Sequence, residues 1–419
     1  MSIAIAAAAG RARERALLVI AGGFAALEGY DLASYGLTVP SLLRSDLHVT
    51  KNSAGHVGSL LAIGMLVGAG LCAVLIRRVG SRRLLLAGVG LFSAGTLGCA
   101  LATEFDLFAV ARSVVGVGLG IVLPTLTAYV ADLSKPSRRS RNVAVMMAGY
   151  AGGALMAAVL ASALIPGQSW RWIYAVGALP ALVLVPLAAR SLPESPFTPS
   201  KDTGGERGDL GGLLSLLAPD VRVATLLFWA VSFCGLLLAF GISTWLPTIM
   251  QASGYSLGSA LLQSVAMWGG AGVGMVAGGR LASRLGIKTV VVAAFLAGSV
   301  ALLVMSGRPP LFVLFVAMFV SGLGFIGSQV LTNAFVVTCY PDELRGPAIG
   351  WALSVGRIGA IVGPSMGGAI LASSLSVSWN FYFFAIPGVA GALLASLVPA
   401  VPARTGASPR VPEQAARTA

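Results

Sequence analysis

Apolar runs long enough to cross a bilayer recur from one end of this chain to the other, and that repetition constrains its fold more than any other feature. A membrane helix needs about 20 consecutive apolar residues. Runs of that kind fall at 16–42, 53–76, 84–103, 107–131, 142–165, 172–190, 223–247, 258–280, 288–306, 311–335, 347–372 and 379–402. Only 10% of the residues are charged, against about 25% in soluble domains. The chain is expected to be an all-α integral membrane protein with twelve transmembrane helices.

The net charge of +13 raises the question of a nucleic acid or an anionic surface as partner. Its distribution answers that question. Of the 28 Lys and Arg, all but Arg44, Lys51, Arg112, Arg171, Arg308 and Arg357 lie on one side of the membrane if both termini are placed there. The positive-inside rule assigns that side to the cytoplasm. The basic excess therefore reports topology, and no nucleic acid partner is expected. The N-terminal stretch does not read as a cleavable signal, because its apolar run continues far beyond the length of such a segment. Cys72, Cys99, Cys234 and Cys339 sit in or at the ends of expected helices, which argues against a disulfide framework.

The longest polar interval runs from Ser191 to Arg222. It divides the chain into a six-helix bundle at 1–190, a cytoplasmic linker at 191–222, a second six-helix bundle at 223–402 and a cytoplasmic tail at 403–419. Weak likeness links the halves. Arg77-Arg78-Val79-Gly80 follows the second span and Ser283-Arg284-Leu285-Gly286 the eighth. Paired six-helix repeats are a transporter architecture, with the binding site near midplane between them.

Charges inside the membrane mark the candidate site. Glu28 and Asp31 lie mid-span and three residues apart, so they share a helix face that Phe24 and Tyr35 extend. A charge at the bilayer centre costs roughly 2.5–3.5 kcal/mol on insertion scales, so it is seldom kept without a role. Desolvation favours the uncharged form of a carboxyl group, and a second carboxylate nearby does the same. Glu28 and Asp31 therefore read as a proton site whose members titrate together, or as permanent partners of an arginine. Arg112 fits either a helix clamp or a sensor of their protonation. Arg357 is the leading candidate to bind a substrate anion, since guanidinium grips a carboxylate bidentately and stacks on aromatic rings. Its alternative is a clamp beside Gly356 and Gly359. Gln329 and Asn333, four apart, fit hydrogen bonds to a ring hydroxyl or to a neighbouring helix. Tyr35 and Trp351 complete the substrate candidates. Trp229, Phe233, Phe240 and Tyr150 fit packing or substrate stacking.

Other chemistry finds no support. His48 and His56 are the only histidines, and no cluster has metal-ligand spacing. A phosphate-binding Gly-x-x-x-x-Gly-Lys-Ser/Thr loop is missing, as is a Ser/His/Asp set. Neither a cofactor nor enzymatic activity is expected.

Several stretches resemble the major facilitator superfamily and, within it, the aromatic acid:proton symporters of the 4-hydroxybenzoate and benzoate type. Glu28-Gly29-Tyr30-Asp31…Tyr35…Val39-Pro40 is similar to the first-helix motif of that group, with Glu where Asp is usual. Arg112-Ser113-Val114-Val115-Gly116-Val117-Gly118-Leu119-Gly120 resembles the fourth-helix motif, Leu192-Pro193-Glu194-Ser195-Pro196 the sixth-helix exit and Trp245-Leu246-Pro247 the end of helix seven. Tyr340-Pro341…Arg345-Gly346…Gly350-Trp351…Gly356-Arg357-Ile358-Gly359…Gly363-Pro364 resembles the tenth-to-eleventh helix signature. The loop after helix two departs from the pattern. It reads Ala73-Val74-Leu75-Ile76-Arg77-Arg78-Val79-Gly80-Ser81-Arg82, with Arg77 in place of the aspartate that helps latch the cytoplasmic side in relatives. Either another acid, such as Asp132, serves the latch or gating is looser than in relatives, and Asp132, Arg139 and Arg78 become the gating candidates.

The resemblance implies a major facilitator fold of two pseudo-symmetric six-helix bundles, acting as a monomer. The implied function is proton-coupled import of a small aromatic carboxylate by alternating access. Proton-driven efflux of an amphipathic compound is the alternative, and a membrane sensor of aromatic acids a more distant one.

Overall fold

The computed structural model describes residues 2–194 and 207–399. Twelve of its helices are long and apolar enough to cross a membrane. They are α1 Glu14–Leu42, α2 Lys51–Val79, α3 Ser81–Leu101, α4 Phe105–Leu133, α5 Pro136–Leu164, α6 Arg171–Ser191, α7 Arg222–Ala252, α8 Leu257–Leu285, α9 Ile287–Ser306, α10 Leu311–Cys339, α11 Glu343–Ala372 and α12 Ser378–Leu397. Each falls on one of the apolar runs. The molecule is a multi-pass membrane protein whose backbone satisfies itself within each helix, as hydrocarbon requires. The expected linker contains a helix of its own, Arg207–Leu216, whose Gly212 abuts the Pro347 ring of α11. The remainder of that linker at 195–206 and the expected tail at 403–419 lie outside the described residues.

Local chemistry sets the helix ends. Thr50 and Ser53 form a reciprocal capping box at the start of α2, and Ser256 caps α8 by accepting from the Ser259 amide. α2 and α8 both stop at a glycine with φ +84°, Gly80 and Gly286, and the next helix starts at once. That backbone region favours glycine. The same turn at matching places in the two halves is the repeat that the sequence showed faintly. Two helices deviate inside the membrane. α6 is broken at Leu179-Pro180, and α10 carries a π-helical turn at Gly322–Gly327.

Close glycine contacts build each half, and they do so symmetrically. Gly29 and Gly153 bring α1 against α5, touching Tyr150 O and Ala26 O. Gly359 and Gly363 bring α7 against α11, touching Phe233 O and Leu237 O. Gly116 and Gly120 do the same for α2 and α4, and Gly270 and Gly322 for α8 and α10. Small residues allow this approach in a membrane, where no hydrophobic force drives helices together.

The halves meet through α1 with α7, α2 with α11, and α5 with α8. The named contacts between α1, α2, α7 and α11 gather at the end where α1 finishes and α2 begins. Gly36 lies on Ser243 O, and Gly58 on the Pro364 ring. Ser59 bonds Ile361 O, and its hydroxyl stands 2.6 Å from that of Ser365. Lys51 Nζ donates to Leu371 O at 2.7 Å, where α11 leaves orphan carbonyls. The bundle is sealed at this end. A Cβ on Gly36 would overlap the Ser243 carbonyl. Gly36→Val should therefore loosen the seal, and a cysteine placed at Ser365 should react several-fold faster with a membrane-impermeant maleimide. Unchanged labelling would show that this seam does not hold the end closed.

Candidate functional site

Asp31 and Arg112 form a buried ion pair, Nη1 to Oδ2 at 3.0 Å, with side chains 2% and 0% exposed. The other Asp31 oxygen accepts from Thr96 Oγ1 of α3 at 2.8 Å, a hydroxyl that also reaches Phe92 O. Aromatic rings enclose the guanidinium. Its Cζ stands 5.1 Å from the Tyr35 ring centroid and 5.8 Å from that of Tyr174. Phe108 and Trp170 pack edge-on behind Tyr174. Both tyrosine hydroxyls are occupied, Tyr35 donating to Ala54 O at 2.5 Å and Tyr174 paired with Thr38 Oγ1 at 2.8 Å. Asp31, Arg112 and Tyr35 thus make one buried unit inside the first half, in which Arg112 Nε and Nη2 have no hydrogen-bond partner among the described residues.

Glu28 stands apart from it. One turn earlier on α1, it is 2% exposed, yet its Oε2 has no hydrogen-bond partner among the described residues. It makes no ion pair there either. The glycine seam between α1 and α5 puts Tyr150 beside it, and Glu28 interacts electrostatically with Tyr150, Asp31 and Arg357. Arg357 belongs to α11, in the other half. It is half-buried, and among the described residues no carboxylate lies within ion-pair distance of it. Two unmatched opposite charges therefore face each other across the interface without joining.

The second half, to which Arg357 belongs, supplies further polar groups. Trp229 of α7 and Trp351 of α11 lie with ring centroids 6.0 Å apart. Trp229 Nε1 and Ser232 Oγ are buried without a partner among the described residues. Gln329 and Asn333 follow the π-helical turn of α10, and Gln329 Nε2 reaches Phe325 O at 3.4 Å. Of the five substrate candidates, Arg357, Trp351, Gln329 and Asn333 sit in the second half, and Tyr35 is drawn into the Arg112 unit instead.

A model of the Major Facilitator Superfamily matches residues 21–278 and 259–418. The chain belongs to that superfamily. It is 34% identical to the gentisate transporter of Corynebacterium glutamicum, over 92% of this chain and 88% of the relative. Identity to the 3-(3-hydroxy-phenyl)propionate transporter of Escherichia coli is 33%, over 83% and 85%. Identity to the benzoate transport protein of Acinetobacter baylyi is 29%, over 88% and 86%. Among solved structures, a D-xylose-proton symporter superposes with a TM-score of 0.77 at 19% identity, over 92% of this chain and 98% of the other. The fold is that of a major facilitator transporter with two six-helix domains, and the chain is not an enzyme.

Where α2 and α4 end, Glu194 and Glu14 are the acids in contact with arginines. Glu194, after α6, pairs with Arg82 at 3.0 Å and stands 4.0 Å from Arg83. Glu14 accepts from Arg138 and Asn142, both at 3.1 Å. Asp132 and Arg139 do not pair. Arg139 Nε donates to Ala131 O at 2.9 Å, a carbonyl at the end of α4 that also accepts from the Ser134 amide. Arg78 is exposed at the end of α2.

Thr96 and Tyr174 escaped the sequence reading. A threonine or tyrosine in an apolar helix carries no signal of its own until folding brings α3 and α6 to α1. The Asp31–Arg112 pair also makes a stability prediction. Removing one partner of a buried pair strands the other charge, at a cost of about 3–5 kcal/mol. Asp31→Asn and Arg112→Gln should each lower the thermal midpoint in detergent sharply. The double variant should recover part of the loss, and additive losses would show that the two charges do not stabilise each other.

Proposed function

We propose that this protein imports a small aromatic carboxylate together with protons across a bacterial inner membrane, with both termini in the cytoplasm. The unmatched pair formed by Glu28 on one domain and Arg357 on the other carries this reading. A guanidinium between the domains, with the Trp229 and Trp351 rings in the same domain as Arg357, suits an anion attached to a ring. A carboxyl group facing it suits a carried proton. The printed names of the relatives, gentisate, benzoate and 3-(3-hydroxy-phenyl)propionate transporters, support the aromatic acid class.

The cycle follows from charge. With the site open to the outside, the acidic pair region takes up a proton. The substrate carboxylate then docks on Arg357, its ring against the tryptophans, and Gln329 and Asn333 bond the ring substituents. The charge of the site falls, and the domains rock about it. The seal at Gly36, Gly58, Ser59 and Lys51 corresponds to the inward-facing stage that follows. Glu194 and Glu14, together with Asp132, Arg139 and Arg78, serve at the cytoplasmic end, where the opposite closure forms.

Proteoliposomes test this. Labelled benzoate and hydroxybenzoates should accumulate under an inward proton gradient and only equilibrate without one. Arg357→Gln should abolish accumulation. If no aromatic acid accumulates in either condition, the substrate class is wrong.

A further inference from the structure

Three charges in the membrane interior are easily read as one proton-coupling set: Glu28, Asp31 and Arg112. Their surroundings divide them. Asp31 already holds a guanidinium at 3.0 Å and a hydroxyl at 2.8 Å. Arg112 is fully buried, bonded to Asp31 and covered by two tyrosine rings. Glu28 has a buried oxygen with no partner among the described residues and no cation in ion-pair contact. Arg357, across the domain interface, likewise lacks a carboxylate within ion-pair distance there. The groups that face Glu28 are Asp31 on its own helix, Tyr150 on α5 and Arg357 on α11.

We infer that Glu28 alone is the carried-proton site and that it competes with the substrate carboxylate for Arg357, while Asp31 remains the fixed counter-ion of Arg112. The inference deepens the aromatic acid reading above and rests on it.

Charges in a dry interior must balance. Arg112 and Asp31 cancel. Ionised Glu28 and Arg357 cancel in turn when the site is empty. A substrate anion docking on Arg357 would then leave two carboxylates facing one guanidinium. Within a low-dielectric site that excess is strongly unfavourable. Protonating Glu28 removes it, converting its carboxylate to a neutral acid as the anion takes its place beside Arg357. One proton therefore enters with each monoanion, and neither moves productively alone. Geometry gives the same division of labour. The Gly29 and Gly153 contacts lock α1 on α5, so Glu28 moves with the first domain. The Gly359 and Gly363 contacts lock α11 on α7, so Arg357 moves with the second. Their separation thus changes when the domains rock, whereas Asp31 and Arg112 share one domain and keep their contact.

The test is the pH dependence of binding by the full chain in lipid nanodiscs, with benzoate as the probe, from about pH 6 to about pH 10, throughout which that carboxylate stays ionised. Binding linked to one proton weakens by up to about tenfold per pH unit over the range in which Glu28 is ionised in the empty site and protonated in the complex, and is flat below that range. Wild type should show that slope. Glu28→Gln, a permanent mimic of the protonated form, should bind with an affinity independent of pH. Asp31→Asn should keep the slope even where its overall affinity drops. Proton uptake by wild type in weak buffer gives an independent reading that needs no variant to fold, with about one proton absorbed per benzoate bound. A slope retained in Glu28→Gln, a slope lost in Asp31→Asn, or no proton uptake by wild type would overturn the competition and leave the substrate reading standing. Failure of wild type to bind any aromatic carboxylate would overturn both.

Discussion

The ion pair between Asp31 and Arg112 is the constraint on which the rest of the site depends. A guanidinium with no exposed surface, inside an apolar bundle, is tolerable only with its counter-charge in contact. Once Asp31 is committed to that task, it is no longer available for another. The remaining charges, Glu28 and Arg357, are then left to each other, and they lie on different domains. The aromatic enclosure by Tyr35 and Tyr174 strengthens the commitment, because the planar cation is held by ring faces as well as by the carboxylate.

Glycine supplies the mechanical counterpart. The same device, a glycine laid on a facing carbonyl, joins α1 to α5 and α7 to α11, and it also joins α1 to α7 across the interface. Within a domain these contacts run along the length of a helix pair. Between α1, α2, α7 and α11 they cluster at one end and are supplemented by only a few hydrogen bonds from Ser59 and Lys51. An interface of that kind can part as a unit while the domains stay intact. Alternating access then needs no new fold in either state, only the exchange of one end seal for another.

Much of this was legible in the sequence. Spans of some twenty apolar residues are a one-dimensional signal, so the helices and their grouping could be read directly. Intramembrane charges are rare enough that Glu28, Asp31, Arg112 and Arg357 identified themselves. Their pairing could not be read. Glu28 and Asp31 share a helix face by periodicity, and that spacing made them look like one titrating unit. Contacts from α3, α4 and α6 separate them, since Thr96, Arg112 and Tyr174 all converge on Asp31 or its partner and none on Glu28. Tyr35 lies on the same face, but its contacts with the Ala54 carbonyl and the Arg112 guanidinium could not be read from spacing. Nor could spacing show that Arg139 reaches the Ala131 carbonyl at the end of α4.

The central claim is that a single carboxyl group moves one proton for each substrate anion. Electrical recording from proteoliposomes on a solid-supported membrane tests it most directly, with benzoate applied at constant pH. One proton entering with one monoanion transfers no net charge, so the account predicts uptake without a transport current and without response to membrane potential. A sustained inward positive current would mean that a second proton travels with the first. Asp31 would then have to release Arg112 during the cycle, and the division between the two acids would be wrong.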